Sequence, residues 1–254
     1  MISKFRSVVI LSLVVATVTF YSSCKKDATS TNGADKTKIG AQLAVSLYQS
    51  LSTSFNNKNG ATTSSIGTKR TTLADNLCGT FKEVPVNEIS TQGDTVKDTY
   101  TGYYRFVYNC DSTSKVNGYT QSDSIVNAGF NTAKTYNRLV KEFLTVTKIG
   151  TDFTKLSVNG SHYSLIQSQS KTNAAESSSQ TNNFTLTSLV LEADGNKMTI
   201  KSGAATFNCT GTNDGTAFNF TGTITFLTGY KATVTFDGKT YLVNLLTGET
   251  TLQA

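Results

Sequence analysis

The sequence has no tryptophan, a single histidine and only four cysteines in 254 residues. HExxH, GxSxG, CxxC and phosphate-loop motifs are all missing. Those absences remove the usual local signatures of zinc proteases, serine hydrolases, thiol oxidoreductases and nucleotide-binding enzymes. Concentrated positive charge is also lacking. The chain carries 23 basic and 17 acidic residues, a net charge of +6. Lys25-Lys26 and Lys69-Arg70 are its only adjacent basic pairs. Nucleic-acid binders gather basic residues into patches with interleaved aromatics, so no nucleic-acid partner is expected. Long apolar runs are absent but for Val8–Phe20, which is too short to be a permanent membrane span.

That one run is the most telling feature. Lys4 and Arg6 precede it, and Tyr21-Ser22-Ser23-Cys24 follows where a signal peptidase cuts. Residues 1–23 read as a lipoprotein export signal and Cys24 as the lipid-attachment residue. Tyr21 departs from the aliphatic residue usual three positions before such a cysteine. An ordinary secretory signal with an incidental Cys24 is the plainer alternative. Each buried lipid CH₂ adds about 0.8 kcal/mol of membrane affinity, so two or three chains make a lasting anchor. Lys25-Lys26 would then meet lipid headgroups. Residues 24–35 are polar and read as a tether, and residues 36–254 as a single β-rich domain.

Ile39, Leu43, Leu47, Leu51 and Phe55 recur every four residues, which predicts one amphipathic helix from about Asp35 to Phe55. Residues 56–72 read as an irregular loop. Beyond Leu77 the period becomes two: Phe218, Phe220, Ile224 and Phe226 alternate with Asn219, Thr221, Thr223 and Thr225. Asn159-Gly160, Asp194-Gly195 and Asp237-Gly238 each predict a hairpin turn, because these pairs tolerate positive φ. Residues 168–182 are Ser-rich and read as a long flexible hairpin loop. The expected fold is mainly β: an antiparallel curved sheet, or open barrel, of successive hairpins with one N-terminal amphipathic helix.

In an oxidising compartment, Cys78, Cys110 and Cys209 leave one disulfide and one thiol. Cys78–Cys110 is the preferred pair, since it ties the first strands together. Cys209 shares a strand face with Phe207 and reads as a buried free thiol. His162 has no nucleophile motif around it and reads as a surface or hydrogen-bonded residue. Asp194, Asp214 and Asp237 each precede glycine and belong to turns, and Asp111–Asp123 lacks the spacing of a calcium loop. No catalytic residue, metal ligand or cofactor is therefore assigned, and the domain is read as non-enzymatic. One local enrichment remains, in the tyrosines around 100–119. Core and edge packing is the simpler account of them. The functional account has Tyr103, Tyr104 and Tyr119 stacking on sugar rings.

Taken together, Ser23-Cys24-Lys25-Lys26-Asp27, Cys78-Gly79, Cys110-Asp111, Val158-Asn159-Gly160-Ser161 and the stretch from Phe220 to Tyr241 resemble uncharacterised envelope lipoproteins of Bacteroidetes. The resemblance implies an envelope location, outer membrane included, and supports the Cys78–Cys110 bridge. It carries no activity and no functional residues, and Cys209 departs from it. The expectation is a membrane-tethered protein that binds a glycan or an envelope partner. The alternative is a lipid or lipoprotein carrier with a half-barrel cavity.

Overall fold

The computed structural model describes residues 36–56, 77–195 and 197–253. Cys24, the signal segment 1–23 and the tether 24–35 lie outside these residues, as does all but the first residue of the expected loop 56–72. The helix is α1 (Lys36–Asn56). Eleven strands follow: β1 (Phe81–Gln92), β2 (Val96–Cys110), β3 (Val116–Phe130), β4 (Lys134–Lys148), β5 (Lys155–Ser170), β6 (Ser177–Asp194), β7 (Lys197–Asn213), β8 (Thr216–Leu227), β9 (Lys231–Phe236), β10 (Lys239–Asn244) and β11 (Thr250–Leu252). They make one antiparallel sheet in strict chain order, open at β1 and β11. Cys78 and Cys110 are joined in a disulfide that fastens the chain ahead of β1 to the end of β2. Closing a loop of 32 residues stabilises by roughly 3–4 kcal/mol in the chain-entropy model.

The fold follows from the two periods in the sequence. Alternate residues of β2–β10 turn to the side of the sheet on which α1 lies. Phe106, Gln121, Leu144, Gly160, Leu186, Ala205, Ile224, Val234 and Tyr241 form one unbroken row across β2–β10 on that inner face. Helix α1 lies against β7, β9 and β10. Leu43, Leu47 and Leu51 are at most 1% exposed there, and each such burial contributes about 1.5–3 kcal/mol. Gly40 is needed for this approach, since a Cβ on it would sit 2.7 Å from the Phe236 ring. Tyr48 meets Tyr230 edge to face at 6.2 Å.

Turn chemistry is legible at two of the three expected hairpins. Asp194-Gly195 separates β6 from β7. At the β9–β10 turn, Asp237 and Gly238 have φ of 48° and 72°, as a type I′ turn requires. Asn159-Gly160 is different: β5 runs straight through it, paired to β4 on one side and β6 on the other. Here the left-handed tolerance of glycine makes a bulge. Gly160 has φ 142°, and a Cβ would lie 2.1 Å from the Phe143 carbonyl oxygen. The Asn159 side chain accepts a hydrogen bond from the Ser188 amide (2.7 Å), tying this bulge to the irregular stretch of β6. The loop expected at 168–182 is also largely strand, with only residues 171–176 outside β5 and β6. Its polar residues obscured the alternation because both faces of the sheet are polar at this end.

The chain's only proline is Pro85, in the middle of edge strand β1. The Tyr108 amide donates to the Thr80 carbonyl (3.0 Å). Even-numbered residues of β1 therefore hydrogen-bond β2, and odd-numbered ones turn toward the open edge. Pro85 thus places a missing donor and a ring where another strand would pair. The guarded segment is self-complementary. An antiparallel two-fold about residue 85 sets Phe81 against Ile89, Lys82 against Glu88 and Val84 against Val86 of a second copy. Phe81 and Ile89 are 62% and 64% exposed. Pro85→Val is expected to give concentration-dependent dimers in sedimentation experiments that the parent chain does not show. Adding Glu88→Lys, which sets like charges face to face, should abolish them.

Candidate functional site

The inner face is not apolar throughout. One row reads Tyr104, Asp123, Glu142, His162, Phe184, Phe207 and Gly222 across β2–β8. Folding has gathered acidic residues that lie scattered in the chain. Asp123, Glu142 and His162 are 4–5% exposed. Glu142 Oε2 accepts from Ser54 Oγ (2.7 Å) and from Gln121 Nε2 (3.0 Å). Its Oε1 lies 3.1 Å from His162 Nδ1 and 3.5 Å from Ser50 Oγ. Gln121 Nε2 also donates to Asp123 Oδ2 (3.0 Å), so one amide bridges two carboxylates. The His162 ring meets Phe184 edge-on at 5.6 Å.

These contacts define what the cluster can do. Ser50 and Ser54 belong to α1, so Glu142 fastens helix to sheet. Asn56 closes the same end of the helix, donating to the Met198 carbonyl (3.0 Å) and accepting from its amide (2.7 Å). Glu142 stands between Ser54 and His162. A hydrolytic relay needs the histidine next to the hydroxyl, with the carboxylate behind it. The order here is that of a structural clasp. Burial, and then the Asp123 and Glu142 charges, hold the Tyr104 hydroxyl well above the usual tyrosine range, so it stays protonated.

A third carboxylate is buried farther along the same face. Asp98 is 2% exposed and accepts from Asn127 Nδ2 (2.9 Å) and from the Tyr136 hydroxyl (2.8 Å). Burial and this carboxylate push the Tyr136 and Tyr100 hydroxyls up. The Arg138 guanidinium lies 4.7 Å from the centre of the Tyr136 ring. Among the described residues no group of three or more His, Cys, Asp or Glu side chains is placed to hold a metal ion. Cys209 is a buried free thiol on this face, and burial alone pushes its pKa up to about 12.

The three tyrosines singled out from sequence do not form one surface. Tyr103 is 40% exposed on the outer face, where it stands opposite Ser124. Tyr104 is half-buried on the inner face. Tyr119 is 2% exposed, its ring 5.9 Å from Phe106, and it does not reach the surface. Strand alternation accounts for this, since adjacent residues 103 and 104 must point apart. The Glu142 cluster was missed, although a signal was available. Continuing the inward parity of Tyr119 places Gln121 and Asp123 among the core positions, and the parity of Leu144 does the same for Glu142.

No family model, no curated protein and no solved structure matches this chain.

Glu142→Ala leaves Ser54 and His162 without their buried partner and Gln121 with Asp123 alone, and is expected to cost about 3–5 kcal/mol in urea unfolding. Glu142→Gln, which keeps an acceptor oxygen, should cost less. Cys209 should resist thiol reagents at pH 8 in the folded protein and react only on unfolding.

Proposed function

We propose that the chain is a lipid-anchored cell-envelope protein whose β domain binds a glycan or an envelope partner and performs no chemistry. Cys24 is the attachment residue in this reading, residues 1–23 the export signal and residues 24–35 the spacer. The resemblance to envelope lipoproteins of Bacteroidetes belongs to the same reading and points to the outer membrane.

The observation that carries the binding reading is the filling of the inner face. Leu43, Leu47 and Leu51 of α1 occupy its apolar half, and its carboxylates already hold neutral donors from the protein itself. Ligand contact then falls to the outer face, which carries the exposed Tyr103. A lipid or lipoprotein carrier is the alternative. It would need α1 to leave the sheet, breaking the Ser54–Glu142 and Asn56–Met198 contacts.

Cys24→Ser should shift the protein from the detergent phase to the aqueous phase in Triton X-114 partitioning and abolish labelling with radioactive palmitate. Partitioning unchanged by that substitution would overturn the anchor. Native mass spectrometry of the expressed domain should show no bound lipid, whereas co-purifying phospholipid would favour the carrier. A glycan array, together with affinity purification from envelope extracts, should yield a ligand. Failure of both would overturn the binding reading.

A further inference from the structure

The outer face of the sheet changes character from one side to the other. Across β6–β10 it carries five threonines in one register row, Thr185, Thr206, Thr223, Thr235 and Thr240. Hydroxyls and methyls of this kind are the ordinary covering of a wet β face. Across β3–β5 the covering is different. Val126, Leu139 and Leu165 stand side by side in one row and remain partly open to solvent. Helix α1 lies on the opposite face, so the core requirement that explains Leu144 or Ile224 does not explain these three.

The rows beside them have complementary chemistry. Two residues along the strands, roughly 7 Å away, Asn137 and Gln167 form a row with Ser179 and Thr212. These four line an open groove of about 500 Å³. Every residue lining it is an uncharged hydroxyl or amide residue. The same distance to the other side runs the row containing Tyr103, Lys141 and Tyr163. Lys141 is the one charge in these three rows. An apolar strip is thus flanked by amides on one side and by tyrosines on the other, over a width of roughly 14 Å.

We propose that this face is a binding site for a neutral glycan, a chain of uncharged pyranose units. The inference rests on the binding reading above and gives it a place and a ligand class. A pyranose ring has a C–H face and a rim of hydroxyls that both donate and accept. Val126, Leu139 and Leu165 suit the C–H face, and Tyr103 and Tyr163 extend that platform. Asn137 and Gln167 offer a donor and an acceptor each, which is what sugar hydroxyls require. The charge-free groove argues against a uronate or sulfated chain, which would call for a lysine or arginine cluster. The apolar strip is narrow for a stable protein–protein interface, which needs about 800 Å² per partner with an apolar centre.

The test is isothermal titration calorimetry of the purified full chain, in a sugar-free detergent, against cello-, laminari-, malto- and mannohexaose. At least one should bind, with an affinity that changes less than about twofold between low and high salt. Gln167→Ala and Leu139→Ser should each weaken it about tenfold or more, and Thr206→Ala, on the threonine side, should leave it unchanged. Circular dichroism and melting curves matching the parent chain confirm that the variants fold. Binding that survives Gln167→Ala and Leu139→Ser undiminished would overturn this site while leaving a glycan-binding domain. Binding confined to acidic glycans on an array, or lost in high salt, would overturn the neutral class. No hexaose binding, with an envelope protein captured through Leu139, would overturn the inference and leave the broader reading standing. No ligand of any kind would overturn both.

Discussion

A single helix has to close one face of an eleven-stranded sheet, and the rest of the structure answers to that mismatch. At 1.5 Å per residue, α1 is roughly 32 Å long. Eleven strands at about 4.8 Å spacing would spread some 50 Å if flat. The sheet meets the shortfall by bending around the helix. Gly160 and the irregular stretch of β6 near Ser188 relax the ladder on adjacent strands, and Asn159 joins the two. Where the helix does not reach, large aliphatic side chains give way to Asp98, Asn127, Tyr136 and Asn182. Apolar burial and internal hydrogen bonding therefore divide the inner face between them.

The two kinds of closure differ in energy as well as composition. Leucines of α1 contribute through area removed from water and tolerate small shifts. Glu142 and Asp98 depend on geometry, because a carboxylate out of water is costly unless neutral donors surround it. Gln121 and Ser54 supply them at Glu142, and Asn127 and Tyr136 at Asp98. Buried carboxylates serve here as fixed points of the packed inner face, each held by neutral donors from neighbouring strands or the helix.

Much of the architecture was readable from periodicity. The four-residue stripe from Ile39 to Phe55 gave the helix within a residue or two, and alternation gave β8 almost to its ends. The Cys78–Cys110 pairing also followed. The misses have physical causes. Asn-Gly supplies positive φ to a bulge as readily as to a turn, and only pairing with both neighbours distinguishes the two. The run from Ser168 to Asn182 lacks alternation because neither face of the sheet is apolar there, so a strand resembles a loop. The Glu142 cluster comes from three strands and the helix. No local pattern brings Ser54 and Glu142 together, because their proximity exists only once register is set. Likewise, only register places Val126, Leu139 and Leu165 side by side on the outer surface.

The chain order of the elements has a kinetic side. Every strand pairs with its immediate successor, so the sheet can grow by short closures along the chain. Helix α1 is made first, yet its seat on β7, β9 and β10 is made last. Throughout that interval its leucine stripe has no native partner, and an isolated helix of this kind is only marginally stable in water. Docking of α1 is thus the long-range step that completes a largely local topology. It spans the greatest separation along the chain, and until it forms the apolar half of the inner face stays open to water.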